Sequence, residues 1–410
     1  MRRARYSRMI VISILLLSFA YTVFISGSAD AIPAFARKYS MSCTTCHAPF
    51  PRLKPFGDEF AGNGFEMENQ EASRFTMKDG DDRLELMRSF PLAARFDGFI
   101  KYQSETGKDV DFTSPYNLKI LSGGRLAKNI AYYFYFFMSE RGEVAGIEDA
   151  YIMFNNLLGQ DFDIYLGQFQ VSDPLFKREL RLTYEDYMIY RYQPERSRIG
   201  LTYDRGVMMT WGIENGPDII VEILNGNGIG EADEFRTYDD DKFKTVAGRI
   251  SYDLNDNVRL GGFGYYGKEH GVYDTTLTGE DYWAVNKVTY FGPDMSLTTN
   301  KLQLNLQYMI REDDNPEFAF AAPADKPKAK GGLAELIYWP QGDQSRWYMA
   351  GLYNQIKLDP GGDANSETYY ETITGHVGYL VQTNLRLILE STYDIQNEET
   401  RIMTGFVSGF

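Results

Sequence analysis

Cys43, Cys46 and His47 are the residues whose types and spacing most directly predict a chemical role. They lie in the pentapeptide Cys-Thr-Thr-Cys-His and include the only two cysteines among 410 residues. Each thiol can form a thioether with one vinyl group of a haem, and the adjacent imidazole can bind the iron as its proximal ligand. A redox disulfide or half of a zinc site would also use paired cysteines, but the histidine and the absence of further cysteines argue against both. The sequence therefore predicts one covalently attached haem c.

The distal ligand of that iron has four candidates. Met67 and Met77 follow the motif and Met87 lies at the edge of the same segment, so any of them could supply a thioether. His376 is the fourth, because apolar alternation in its segment turns the imidazole toward the polar face of a strand. A methionine is more often a packing residue, and a histidine on a polar face is more often solvated. The choice among the four stays open at this point.

Residues 1–31 have the pattern of a secretory signal peptide. An arginine-rich start precedes an apolar run from Met9 to about Phe24, and Ala29-Asp30-Ala31 forms a cleavage triplet. An uncleaved membrane anchor is the alternative, but the apolar run is short for one. Cleavage would start the mature chain at Ile32, outside the cytoplasm, and leave it more acidic than the full chain, whose formal charge is -15. Such a charge disfavours nucleic acid as a partner.

From residue 89 onward the sequence has a different pattern, which predicts β-strands with one apolar face. From Lys301 to Arg311, leucine, tyrosine and isoleucine alternate with lysine, glutamine and asparagine, and shorter stretches repeat this period of two. A secreted β-sandwich would show the same alternation. We therefore predict a mainly β fold and look to other features to separate a sandwich from a membrane barrel.

Three features favour an outer-membrane barrel. The chain ends on Phe410, and aromatic residues form pairs such as Tyr265-Tyr266, Trp347-Tyr348 and Tyr369-Tyr370 that would suit a girdle at the membrane interface. Connections alternate between short and long, as in outer-membrane barrels. The short ones include Lys128-Asn129, Glu214–Asp218 and Gly292–Ser296, and the long ones include Gln170–Ser197, Asn225–Lys242 and Glu312–Lys330. The predicted organisation is a signal peptide (1–31), a small helical or irregular haem c domain (32–88) and a barrel of about sixteen strands (89–410).

Motifs in both predicted domains resemble known families. The segment before residue 66 resembles the start of the fused monohaem cytochrome-porins of the outer-membrane iron-oxidase type, through Ile32–Arg37, Cys43–His47, Pro51, Leu53, Pro55–Gly57 and Gly64-Phe65. The barrel is similar to porins of the phosphate-selective type, through Ile147–Tyr151, Leu166–Phe169 and Asn225–Gly228. The first resemblance implies electron transfer between an extracellular donor, typically Fe(II), and periplasmic c-type cytochromes.

Two functions from different classes are therefore expected. The first is an electron-transfer cytochrome in the bacterial outer membrane, with its haem domain on the periplasmic side or in the lumen. The second is a porin for small solutes or anions whose amino-terminal domain is a haem-binding plug or sensor. Acidic stretches at Glu231–Glu234 and Asp239–Asp241 would gather divalent cations at the outer mouth. The basic residues of Gln170–Ser197 would suit anions or haem propionates if that loop folds inward.

Overall fold

The computed structural model describes residues 34–67, 72–104, 110–144, 146–194, 196–273, 282–320, 322–323, 325–361 and 365–410. The predicted signal peptide and Ile32 lie outside these residues. Within them, the short helices are α1 (Ala34–Tyr39), α2 (Cys43–Cys46), α3 (Pro55–Gly62), α4 (Ala72–Phe75) and α5 (Met188–Arg191). None of the described helices has the length and apolar character needed to cross a bilayer.

Sixteen antiparallel strands close into a barrel in the described part of the chain, with each strand paired to its neighbours in sequence and the last paired to the first. A two-stranded ribbon, β1 (Thr76–Lys78) and β2 (Glu85–Met87), precedes them. The barrel strands are β3 (Leu92–Gln103), β4 (Val110–Ala127), β5 (Ile130–Glu140), β6 (Ile147–Phe154), β7 (Phe162–Gln170), β8 (Tyr203–Gly212), β9 (Asp218–Leu224), β10 (Thr245–Asn255), β11 (Val258–Tyr273), β12 (Tyr282–Thr298), β13 (Leu302–Asp313), β14 (Lys328–Tyr338), β15 (Trp347–Asp359), β16 (Glu367–Gln382), β17 (Leu385–Asp394) and β18 (Glu399–Gly409). The predicted fold class and strand number are confirmed.

Alternation along each strand separates an apolar exterior from a polar interior. In β16, Ile373 is 54% exposed, whereas Thr374 and His376 are each 2% exposed and face the lumen. Because a closed barrel satisfies its backbone hydrogen bonds internally and this one has an apolar outer surface, it is built to span a bilayer. The predicted location in an outer membrane rests on this architecture.

The aromatic pairs are divided between the two faces of the barrel wall. Trp347 is 50% exposed on the outside, while its neighbour Tyr348 is fully buried in the lumen. Tyr266 and Tyr265 divide in the same way, at 47% and 3%. The interfacial girdle therefore contains only one residue of each pair, because successive side chains of a strand point to opposite faces.

The three longest connections, residues 171–202, 225–244 and 314–327, lie at the same end of the barrel as predicted, but one expected turn was wrong. Gly292–Ser296 lies inside β12, where it pairs with β11 and β13 on its two sides, and the chain reverses at Thr299–Lys301 instead. Glycine and proline indicate a turn locally, but strand partners on both sides hold this segment extended. His270 lies within β11.

The long connection between β7 and β8, residues 171–202, folds into the lumen, and we call it the lumen loop. Its Tyr187 hydroxyl donates to Glu335 of β14 (2.9 Å), and the Tyr184 backbone N–H donates to Glu390 of β17 (2.7 Å). On another side, Lys119 of β4 forms an ion pair with Glu179 (3.0 Å). The loop therefore reaches several parts of the wall, and its apolar residues form a dry cluster with inward-facing residues of the barrel.

The segment from Ala34 to Glu66 lies at the end of the barrel that carries the short turns. Arg37 donates to the backbone oxygen of Leu92 at the start of β3 (2.7 Å), and Lys54 forms an ion pair with Asp343 in a short turn (2.6 Å). Asn156, in another short turn, donates to Asn63 (3.0 Å). The segment thus covers this mouth of the barrel, and its contacts place it in one compact unit with the strands.

Candidate haem-binding site

The pentapeptide forms a single helical turn followed by a tight return of the chain. Ser42 caps α2 by accepting from the Thr44 N–H (3.3 Å), which satisfies one of the free donors at the start of the helix. The His47 N–H donates to the Cys43 backbone oxygen (2.9 Å), so the helix ends at the histidine. This geometry places Cys43, Cys46 and His47 on the same cavity.

The imidazole of His47 is oriented by a backbone contact. Its Nδ1 lies 2.7 Å from the Pro51 backbone oxygen, an acceptor, so Nδ1 carries the proton in this contact and Nε2 remains available as a ligand atom. Burial lowers the pKa of His47, which favours the neutral ring that binds metals. The ring also packs edge-on against Phe50 at 5.0 Å between centroids. Metal-binding histidines commonly make such a contact through the ring nitrogen that does not bind the metal.

Gly57 in α3 permits a close approach to the cysteine turn. A Cβ atom at Gly57 would lie 2.6 Å from the Cys46 backbone oxygen and 2.8 Å from a methyl carbon of Leu53. The Lys54 N–H donates to that same Cys46 oxygen (2.8 Å), which fixes the start of α3 beside the motif. A side chain at position 57 would therefore displace α3 from the turn that carries the thiols.

The cavity beside the motif has an aromatic side. Phe35 stacks on Phe65 with 4.9 Å between ring centroids and contacts Phe60 edge-on at 5.5 Å. Phe65 in turn stacks on Tyr133 of the barrel wall at 5.3 Å. The cavity has a volume of about 290 Å³. Apolar walls of this kind suit a large planar hydrophobic ligand and keep water from it.

The opposite side of the cavity is charged and comes from the barrel wall and the lumen loop. Arg95, Lys119 and Lys177 line it together with the carboxylates of Asp149, Asp173 and Glu179. Burial opposes ionisation of Glu179, but Lys119 and the neighbouring arginines outweigh it and lower the pKa of Glu179 to about 2. One oxygen of the buried Asp149 has no hydrogen-bond partner. The cationic side chains here could pair with the carboxylates of a haem, while the thiols and the imidazole could hold its ring and its iron. The lining of the cavity therefore fits a haem.

None of the four distal candidates lines this cavity. Both ring nitrogens of His376 have partners, Glu390 at 2.9 Å and the Tyr348 hydroxyl at 3.3 Å. The Met87 sulfur lies 3.9 Å from the Tyr132 hydroxyl, Met77 is 39% exposed on β1, and Met67 directly follows, in sequence, the segment that covers the mouth. Of the described methionines, only Met41 lines the cavity. Met41 therefore joins Met67, Met77, Met87 and His376 as a candidate, and the distal ligand stays a prediction.

Sequence reasoning missed most of the residues that surround the motif. Lys119, Tyr133 and Tyr135 lie on β4 and β5, far from the pentapeptide in sequence, and they line its cavity only because the barrel closes around it. No local pattern marks them, because an inward-facing residue of any strand shows the same alternation. Lys177, in contrast, belongs to the basic loop that the sequence associated with haem propionates.

The acidic run Asp239–Asp241 is the one described group whose spacing suits a metal ion, with ligand atoms within 4.8 Å of one another. Two of its carboxylates already have cationic partners. Asp240 pairs with Arg198 (2.8 Å), and Asp239 pairs with Lys244. His270 lies 3.8 Å from Asp241. These contacts neutralise much of the negative charge that the sequence suggested for this loop.

Solved structures share the barrel fold at low sequence identity. OmpT of Vibrio cholerae with loop L8 deleted and the anion-selective porin of Comamonas acidovorans each align with a TM-score of 0.55 and 11% identity, over 78% of this chain and 99% of their own. OprB of Pseudomonas putida aligns with a TM-score of 0.50 and 12% identity, over 78% of this chain and 94% of its own. No protein-family model matches the sequence, and no curated protein matches it. The likeness establishes for this chain the sixteen-stranded barrel fold of the outer-membrane porins.

Proposed function

We propose that this protein passes single electrons across an outer membrane through one haem c attached to Cys43 and Cys46, with His47 as proximal ligand. The observation that carries the proposal is that both thiols and the imidazole line one cavity with an aromatic side and a charged side that includes three cations. A haem supplies one-electron chemistry between its ferrous and ferric states. The activity would be that of a cytochrome, with oxidation of Fe(II) as the reaction that the sequence resemblance implies.

The residues around the cavity have separate roles in this proposal. The Pro51 carbonyl orients the His47 ring, and Gly57 lets α3 pack against the cysteine turn. Phe35, Phe60 and Phe65 exclude water from the haem ring, and this burial helps to set the reduction potential of the haem. Arg95, Lys119 and Lys177 offer positive charge to the carboxylates of the haem.

The two ends of the barrel suit different partners. The motif lies at the short-turn end, which is periplasmic in barrels of this type. There a cavity of about 1020 Å³ is lined by more acidic than basic residues, and the acidic ones include Asp58, Asp161 and Asp253. Such a negative mouth complements the basic surface of a periplasmic electron carrier, and we propose a c-type cytochrome as this partner. The donor would approach from the long-loop end.

Vesicles test this proposal directly. The purified protein is placed in lipid vesicles with an oxidised c-type cytochrome inside, and Fe(II) is added outside. We expect the enclosed cytochrome to be reduced by the protein and not by a His47→Ala variant that assembles normally. A His47→Ala variant that is as active as the original protein would contradict the assignment of the iron ligand.

A porin for small solutes or anions is the second candidate, and the fold likeness favours it. The structures that share this fold include an anion-selective porin. The dry cluster between the lumen loop and the wall argues against an open aqueous path, because a conducting lumen must be lined by water. Conductance in planar bilayers separates the two functions. Steady ion current without reduction of the enclosed cytochrome would favour the porin, whereas reduction without such current would favour electron transfer.

A further inference from the structure

The long-loop end of the lumen contains a second polar cavity, which we call the long-loop vestibule. It has a volume of about 370 Å³ and opens between the lumen loop and the ends of β5, β6 and β8. Its lining includes four arginines, and these are Arg141, Arg178, Arg191 and Arg198. Two glutamates, Glu140 and Glu148, also face it. Neither the haem motif nor the barrel fold accounts for this concentration of guanidinium groups.

Three of these guanidinium groups converge on one carboxylate. The Asp186 Oδ2 atom lies 2.7 Å from Arg178, 3.1 Å from Arg141 and 3.7 Å from Arg191. Arg181 approaches the other oxygen of Asp186 at 3.8 Å. The Asp186 carboxylate is therefore shared by four guanidinium groups. Two hydrogen bonds from Arg178 use both of the Asp186 oxygens.

The other carboxylates of the vestibule leave Arg191 without a close partner among the described residues. Glu140 pairs with Arg141 (3.4 Å), Glu148 accepts from the Tyr135 hydroxyl (3.2 Å), and Arg198 pairs with Asp240. The Arg191 side chain is 38% exposed, and its distance to Asp186 is too long for a hydrogen bond. Burial and the nearby charge of Arg141 lower the pKa of Arg191. Its N–H groups donate no hydrogen bond to another of the described residues, and its side chain lines the vestibule.

The vestibule is separated from the motif cavity by one pair of tyrosines. Tyr135 lines the motif cavity, Tyr203 lines the vestibule, and their hydroxyl groups are hydrogen-bonded to each other. The two side chains are 3% and 7% exposed. A molecule in the vestibule would therefore be close to the motif cavity without entering it.

We propose that the long-loop vestibule binds a small anion bearing carboxylate or phosphate groups, with Arg191 and Arg141 as its ligands. Resting on the proposed function, we also infer that the extracellular donor arrives there as an anionic metal complex and not as a bare cation. A haem held by Cys43, Cys46 and His47 would supply the electron acceptor: the metal of the complex would be oxidised from M(II) to M(III), and ferric haem iron would be reduced to ferrous. No proton is transferred, and no other oxidant is required.

Binding is tested without the haem. The Cys43→Ala/Cys46→Ala protein, freed of divalent cations, is titrated with citrate in a calorimeter. We expect saturable binding that weakens about tenfold in Arg191→Gln, because a charge-assisted hydrogen bond is lost. Arg236→Gln, a matched change on an exposed outer loop outside the vestibule, should bind as the parent does. Arg191→Lys should recover part of the affinity, which separates loss of charge from misfolding.

Absence of citrate binding, or equal weakening in Arg236→Gln and Arg191→Gln, would overturn the anion site. Inorganic phosphate is titrated in parallel, and tighter binding of phosphate would assign the site to phosphate groups and support an anion site of that class.

The donor is tested with the haem in place. Fe(II)–EDTA is an anionic reductant, and hexaammineruthenium(II) is a cationic one. We expect Arg191→Gln to slow reduction of the haem by Fe(II)–EDTA. Its reduction by hexaammineruthenium(II) should proceed at the same rate as in the parent protein or faster. Equal slowing with both reductants would overturn the inference about the donor. If neither reductant reduces the haem of the parent protein, the proposed function fails, while citrate binding still decides the anion site.

Discussion

At the scale of residues, the chemistry of the proposed site is local. Cys43, Cys46 and His47 come from five consecutive residues, and the contact that orients the imidazole comes from Pro51, four residues further on. Gly57 adds the close packing of α3. Substitutions here should therefore affect the haem site while the barrel, whose strands lie elsewhere in the sequence, still assembles.

Replacement of both thiols tests haem attachment. The Cys43→Ala/Cys46→Ala variant should lose all covalent haem, because no other cysteine of the chain can form a thioether. Haem staining after denaturing electrophoresis measures this, and heat-modifiable migration of the same sample reports barrel assembly. Thr44→Ala, between the two thiols, serves as the control and should retain haem. A haem-stained band in the double variant would contradict the attachment site.

Gly57→Ala tests the packing of α3 against the cysteine turn. The added methyl group meets the Cys46 oxygen and should cost about 1–3 kcal/mol of local stability, with a lower yield of haem. Gly62→Ala in the same helix is the control, because nothing lies within 4 Å of its Cβ position. Haem content per barrel and thermal unfolding of the haem absorbance measure both variants. Equal haem content in the two would show that the close approach does not matter.

At the scale of elements, the lumen loop decides how much of the barrel interior is open. Asp186 accepts hydrogen bonds from Arg178 of the loop and from Arg141 at the end of β5. The loop reaches β13, β14 and β17 through Tyr190, Tyr187 and Tyr184. The loop joins the dry cluster to a network of buried charges. A change at the centre of that network should therefore loosen the loop and open the lumen.

Asp186→Asn should loosen the lumen loop by about 3 kcal/mol, because it leaves several buried guanidinium groups without their shared carboxylate. Conductance in planar bilayers should rise, and proteolysis within residues 171–202 should become faster. Glu231→Gln, on an exposed outer loop, should change neither. Unchanged conductance and proteolysis in Asp186→Asn would show that the charge network does not hold the loop.

The Asp186 carboxylate also predicts how acid affects the closure of the lumen loop. Arg181, Arg178 and Arg191 overcome the opposing effect of burial and hold the pKa of Asp186 well below its ordinary 3.8. Because the folded pKa is depressed, the stabilisation is complete above the unfolded pKa and is lost as pH falls through the folded one. Conductance should therefore stay low through pH 4 and rise only at more acidic values. A rise near neutral pH would assign closure of the loop to other groups.

At the scale of the whole molecule, the barrel has two chemically different ends. The short-turn end is covered by the segment that carries the motif, and the long-loop end holds the arginine-rich vestibule. A donor and an acceptor could thus contact the protein at opposite membrane faces. This polarity is useful for electron transfer only if the long loops face outward, as they do in outer-membrane barrels.

Labelling of intact cells tests that orientation. In the Cys43→Ala/Cys46→Ala background, Asp240→Cys in a long loop should react with an impermeant thiol reagent, and Asp256→Cys in a short turn should react only after permeabilisation. Ser251→Cys, a buried position of β10, is the unreactive control. Labelling of Asp256→Cys but not of Asp240→Cys on intact cells would reverse the orientation and place the vestibule in the periplasm.

The sequence by itself determined the barrel, whereas the haem chemistry that it predicts for the pentapeptide stays a prediction. The strands were predictable because lipid on one side and lumen on the other impose a period of two within each strand, whatever its partners are. A haem motif can be proposed from the sequence because its candidate ligand groups are nearly adjacent. Which member of an aromatic pair faces out, as for Trp347 and Tyr348, depends on the register of strand pairing, and only the closed barrel decides it.

The surroundings of the motif were decided only by the tertiary structure. Lys119, Tyr135 and Glu179 meet the cavity from β4, β5 and the lumen loop, and Arg141 meets Arg191 through a carboxylate of that loop. Barrel closure and the fold of a 32-residue connection bring these side chains together, and neither leaves a local pattern in the sequence. Contacts between residues so distant along the chain depend on the packing of the whole molecule. The sequence therefore predicted a haem site but not the residues that line its cavity.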